Sequence, residues 1–246
     1  MTLETMDTPL RLVIDDTARD PSAKIWYALP GGYVDVPLDA LDADPGSEQE
    51  AHLDHLMALI VDCAPESESD RYAGALRDVR YMVRQMQGEG IVGCSLGMHY
   101  ADDGSSAVSV FTVALRDIEW APPKLTAVRA VSLRECPENV ALLTLPGGRP
   151  GAVSDTLVTM PALVGMPAQE LYQCNLYVPA PSGVQLAVLT LSTTAVGSRK
   201  HYRELMEGMA YTVSFNDPMP EIERAARGDD DGGGDRIRDS ITADFG

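Results

Sequence analysis

The sequence contains no apolar run near the roughly 20 residues that a membrane-spanning helix needs, so no such helix is expected. It is also short of positive charge. Against 37 Asp and Glu stand 19 Lys and Arg, a formal net charge of −18. Such a chain repels nucleic-acid phosphates and anionic lipid, so neither nucleic acid nor membrane insertion is expected. The same field steers toward a basic protein or cations. Aromatic residues make up only 6% of the chain, so a core must be assembled from Val, Leu, Ala and Met. The four cysteines, Cys63, Cys94, Cys136 and Cys174, form no C-x-x-C pair and read as buried thiols of a reducing compartment. The opening residues, MTLETMDTPLRLV, have neither a basic n-region nor an apolar h-region. They do not read as a Sec signal, and the expected location is cytoplasmic.

What is present suits a globular domain: 246 residues, 45% of them hydrophobic. Leu10 to Ile14, Lys24 to Leu29 and Tyr33 to Pro37 read as short strands of an N-terminal hairpin region, with Pro30-Gly31-Gly32 as a tight turn. Ser47 and Glu50 form a capping-box signature ahead of a helix carrying Leu53, Leu56, Met57, Ile60 and Val61. A second helix is expected from about Ser67 or Ser69 to Gly88, with Tyr72, Leu76, Val79, Val83 and Met86 as its stripe. The period then changes to two. Ile91 to Tyr100 and Ala107 to Leu115 read as a hairpin, the first a half-buried strand whose second face is small or polar. Pro122-Pro123 breaks the chain, and the segment to Glu135 fits helix or strand. Val140 to Leu145 with Ala152 to Thr159, and Leu171 to Val178 with Val184 to Ser192, are two further hairpins. Arg199 to Ala210 is a final amphipathic helix, and Tyr211 to Phe215 fits either its extension or a last strand.

Consecutive hairpins without strand–helix alternation imply an α+β fold, a central antiparallel sheet flanked by helices. The expected organisation is a flexible N-terminus over 1–9, one domain over 10–215, and a disordered acidic tail over 216–246. The tail's Asp229 to Asp235 run has nothing to bury.

Several motifs carry possible chemistry. Gly93-Cys94-Ser95-Leu96-Gly97 matches the G-x-S-x-G of a nucleophile elbow, with His99 or His201 as candidate bases for Ser95. That elbow needs a strand-to-helix turn, whereas this pentapeptide sits within an alternating strand. Gly88 to Gly93 matches G-x-G-x-x-G, but helix precedes it and strand follows, the reverse of a dinucleotide site. Glu48, His52 and His55 share a helix at spacings that could hold a divalent metal, although a closed site needs further ligands. No catalytic, cofactor-binding or metal residue is therefore assigned, and no cofactor is expected.

Trp26-Tyr27-Ala28-Leu29-Pro30-Gly31-Gly32-Tyr33-Val34-Asp35-Val36-Pro37 resembles the P-x-G-[FY]-x-x-x-P opening hairpin of the Mog1/PsbP-like fold, which includes the actinobacterial LpqN-like proteins. Leu186 to Thr194, followed by Tyr202 to Met206 and Thr212 to Phe215, is similar to that fold's late strand and closing helix. The resemblance implies a central antiparallel sheet with packed helices, in proteins that mostly bind or assemble others without shared catalytic residues. It transfers no functional residue. The expected function is a non-catalytic, cytoplasmic, protein-binding accessory factor of a bacterial system: a chaperone, adaptor or assembly factor. The alternatives are a small hydrolase using Ser95, or a metal-binding protein using Glu48, His52 and His55.

Overall fold

The computed structural model describes residues 12–14, 23–41, 43–44, 46–62, 69, 73–74, 90–100, 106–132, 139–160, 169–220 and 222. Contacts divide the chain into two compact units, Met1–Gly31 with Tyr211–Gly246, and Gly32–Ala210.

In the first unit, β1 (Leu12–Ile14) pairs antiparallel with β2 (Ala28–Pro30). Trp26 and Ser214 exchange two backbone hydrogen bonds of 2.9 and 2.8 Å. The Thr212 hydroxyl accepts from the Ala28 N–H at 3.0 Å. The segment after the last helix therefore forms neither of the two expected elements: it contributes one bridge. Ser214 is the bridging residue, and Val213 beside it is buried. Asn216 to Pro218 follow without regular structure, and Met219, Pro220 and Ile222 are helical, with the Ile222 N–H bonded to the Pro218 carbonyl at 3.0 Å. The remainder of the expected tail lies outside the described residues.

The second unit is a seven-stranded antiparallel sheet in the order β3-β4-β5-β9-β8-β7-β6. Its strands are β3 (Tyr33–Asp35), β4 (Ile91–Tyr100), β5 (Ser106–Asp117), β6 (Asn139–Leu145), β7 (Arg149–Met160), β8 (Gln169–Pro179) and β9 (Gln185–Thr193). The expected hairpins β4–β5, β6–β7 and β8–β9 are all present. Of the expected N-terminal hairpin region, β1 and β2 pair antiparallel, but β3 pairs with β4 and not with β2. A two-residue turn at Gly31-Gly32 would make residues 30 and 33 its closing pair. Pro30 has no N–H to offer there.

The helices are α1 (Leu38–Leu41), α2 (Glu48–Asp62), α3 (Pro123–Ser132) and α4 (Arg199–Ala210). At α2 the Ser47 hydroxyl caps the Glu50 N–H at 3.2 Å. The Glu50 carboxylate reaches back not to Ser47 but to the Gly46 N–H at 2.6 Å. The Ser47 N–H is already held by the Asp44 carbonyl at 3.0 Å, so the box closes one residue early. The ambiguous segment after Pro122 is helical. Pro123 opens α3, where a missing N–H costs nothing, and Pro122 supplies the carbonyl for Leu125 and Thr126. The second expected helix falls outside the described residues, except for Ser69, Ala73 and Gly74, which are helical.

Strand alternation sorts the side chains onto two faces. On one, Val36, Ala40 and Leu53 pack with Cys94 and Leu96 of β4, and Ala127 and Val131 of α3 pack with Ala152, Tyr177 and Leu186. That face also carries a row of polar residues in register across four strands: Ser154, Asn175, Thr190 and Thr112. Ser154, Asn175 and Thr112 are buried, and the Thr190 hydroxyl donates to the Asn175 side-chain amide oxygen at 2.9 Å. On the opposite face α4 packs on β8 and β7, with Tyr202 ring to Tyr172 ring at 6.4 Å. Its buried side is the expected one: Tyr202, Leu205, Met206 and Met209. β4 is not half-buried as its alternation suggested. From Cys94 to Gly97 it is buried on both faces, because the second face is small enough to receive Tyr33 of the neighbouring strand.

Candidate functional site

The G-x-S-x-G motif is strand architecture. Ser95 is wholly buried, and its hydroxyl donates to the Asp35 carboxylate at 2.6 Å on the paired strand. Gly97 lies under Tyr33, whose hydroxyl shares a 2.7 Å hydrogen bond with Ser109. The candidate base His201 lies exposed on α4, and the His99 side chain is outside the described residues. Of the G-x-G-x-x-G match, Gly90 has φ +76° at a turn where a Cβ would stand 2.7 Å from the Leu115 carbonyl oxygen. Its glycine serves a close backbone approach. Glu48, His52 and His55 lie on an exposed side of α2. Among the described residues, no group of three or more His, Cys, Asp or Glu is placed to hold a metal.

Two of the four cysteines are described, and both are free and buried. Burial pushes Cys94 up to about 12, with the nearby Asp35 carboxylate adding to the rise. Burial likewise pushes Cys174 up to about 12. Both stay protonated at neutral pH, and a thiol without its thiolate is a poor nucleophile. Peptide mapping after N-ethylmaleimide treatment of the folded protein at pH 8 should therefore find Cys94 and Cys174 unmodified. Full labelling of either within minutes would contradict this packing.

The charged chemistry gathers elsewhere, where α4 crosses the β6–β7 edge. Asp155 of β7 is buried, and Tyr172 of β8 donates its hydroxyl to it at 2.8 Å. On α4, Arg203 lies 3.2 Å from the same carboxylate, and both side chains are largely shielded. The Arg203 Nε also donates to Glu207 at 2.6 Å, and an Nη donates to the Asn139 carbonyl at 3.4 Å. Burial opposes the charge on Arg203, but Glu207 and Asp155 outweigh it and hold its pKa above the ordinary value. For Tyr172, burial and the adjoining Cys174 and Asp155 all raise the phenol's pKa, so it remains a donor.

Beside this network opens a cavity of about 760 Å³, lined by Asn139, Val140, Asp155, Arg199, Lys200 and Arg203. Arg199 and Lys200 open α4, whose first turn holds no acid. Cations at the positive end of a helix dipole cost a few tenths to about 1 kcal/mol each. Lys200 has Glu204 at 3.7 Å, both well exposed. Next to the cavity runs β6, the outermost strand of the sheet. Val140 and Leu142, both on the α3 face, are 47% and 57% exposed. β6 carries no charged residue.

None of these residues stands out as a motif. A usable signal did exist: Arg199-Lys200-His201 is a basic run opening a helix in a strongly acidic chain. Among the described residues, no helix is long and apolar enough to cross a membrane. No protein-family model and no curated protein sequence matches the chain.

Proposed function

We propose that the chain is a non-catalytic protein-binding accessory factor that receives an extended segment of another protein along the outer edge of β6. The observation that carries this reading is β6 itself. It terminates the sheet, and among the described residues no strand lies on its outer side. Natural edge strands are commonly guarded by lysine, proline or a bulge. β6 has none of these, pairs with β7 without a register shift, and presents Val140 and Leu142 to solvent instead. Adding a strand to such an edge supplies main-chain hydrogen bonds, and the outward side chains supply selectivity. The net charge of −18 suits a partner that is basic overall. The resemblance of residues 26–37, 186–194, 202–206 and 212–215 to the Mog1/PsbP-like fold, whose members mostly bind or assemble other proteins, points the same way; a bacterial cytoplasmic setting is part of the same proposal.

The test uses the protein in its native host. Affinity isolation should recover a stoichiometric partner, and with that partner purified, Leu142→Lys should weaken the Kd at least 10-fold without lowering Tm. A partner that binds wild type and Leu142→Lys equally would sink the reading, as would the recovery of no stoichiometric partner.

A further inference from the structure

An added strand does not present a uniform surface. Its side chains alternate between the two faces of the sheet. Residues beside Val140 and Leu142 face the α3 side, where apolar surface waits. The residue beside Asn139 faces the α4 side, because Asn139 is opposite Asp155 in the β6–β7 register. At that point lies the cavity bounded by Arg199, Lys200 and Arg203.

The cations there differ in availability. Arg203 is committed to Asp155, Glu207 and the Asn139 carbonyl. Lys200 has only a long contact to Glu204, and Arg199 makes no ion pair among the described residues. Both are exposed and sit at the N-terminal turn of α4, where the helix dipole favours an anion. Asp155, which lines the same cavity, would repel a dianion more than a single carboxylate.

We infer that the segment received by β6 carries a carboxylate side chain that docks on Arg199 and Lys200, with apolar side chains one and three residues away seated on Val140 and Leu142. This inference rests on the strand-addition reading. It names the partner's pattern, an Asp or Glu set in register with alternating apolar residues, which gives a largely basic partner one acidic anchor.

The probe is a blocked, fluorescein-labelled peptide, Thr-Glu-Val-Thr-Val-Thr-Lys, compared with the same peptide carrying Gln for Glu, by fluorescence anisotropy at low salt. Wild type should bind the Glu peptide at least 5-fold more tightly than the Gln peptide. Arg199→Gln/Lys200→Gln, with unchanged Tm, should bind both equally, at the wild-type affinity for the Gln peptide. Equal binding of the two peptides by wild type overturns the inference, and so does discrimination that persists in the double variant. Failure of wild type to bind either peptide also overturns it. The strand-addition reading would survive any of these results, since its own test uses the native partner. Two further outcomes replace the occupant and so overturn the inference. If sedimentation shows dimers that Leu142→Lys dissolves, a second copy covers β6. If removal of residues 223–246 raises peptide affinity, the chain's own acidic segment does.

Discussion

Arg203→Met is expected to destabilise the protein by about 3–5 kcal/mol, a large share of a typical domain's stability. The loss comes less from the missing attraction than from what is left behind. Asp155 lies with its side chain 11% exposed, and without the guanidinium its charge would keep only the Tyr172 hydroxyl among the contacts described above. A carboxylate stripped of its cation in such a place bears its desolvation cost uncompensated. One consequence separates this from simple loss of packing. The double variant Asp155→Leu/Arg203→Met should recover most of the loss, since replacing both members of a shielded ion pair by apolar groups is often neutral. Urea denaturation of wild type and both variants at pH 8 measures this. A deficit in Arg203→Met below about 1 kcal/mol at pH 8 would show that the pair is effectively solvated.

Gly97→Ala should cost about 1–3 kcal/mol, the range for overpacking a filled interior. The added methyl would stand 2.6 Å from the Tyr33 Cζ and 2.7 Å from the Ser109 Oγ. Neither neighbour can withdraw freely. They are hydrogen-bonded to one another at 2.7 Å, and the Tyr33 ring packs edge-on to Phe111 with centroids 6.4 Å apart. Relief requires moving Tyr33, which would break that bond and disturb the β3–β4 pairing. Tyr33→Ala/Gly97→Ala should therefore cost markedly less than the sum of the two single changes, because the methyl then occupies vacated space. Additive losses by thermal denaturation would show that Tyr33 does not press on Gly97. The same contact explains why a serine-hydrolase pentapeptide occurs here without the chemistry's setting: its second glycine accommodates a tyrosine ring.

The parts of the fold legible in the sequence were those governed by neighbours along the chain. Pro146 to Gly148 and Pro179 to Gly183 announced their hairpins by turn chemistry, and α4 matched its apolar stripe from Arg199 to Ala210. What escaped was set by partners distant in sequence. Turn chemistry and alternation marked β5 and β9 as hairpin strands but not that they pair, with Phe111 opposite Leu191. Likewise nothing local sets Asp155 apart within the strand Ala152 to Thr159. Its burial follows from Arg203, which lies on a different element, so no local pattern could mark it. The basic run at Arg199 was visible, but its position beside β6 was not.

The row of Ser154, Asn175, Thr190 and Thr112 runs across the β5–β9 junction, where two hairpin-built halves of the sheet meet. Joining halves made so far apart in the chain is the slow, error-prone step of assembling such a sheet. Because side chains alternate, an offset of one residue at the junction would carry the Thr190–Asn175 pair, held together within the β8–β9 hairpin, away from Thr112 and onto the face of Phe111 and Val113. Greasy residues alone would tolerate that slippage. The hydroxyls and amide penalise a one-residue misalignment, so the row acts as a proofreading strip against it, and a sheet with valine in its place would gain adhesion at the expense of a unique arrangement.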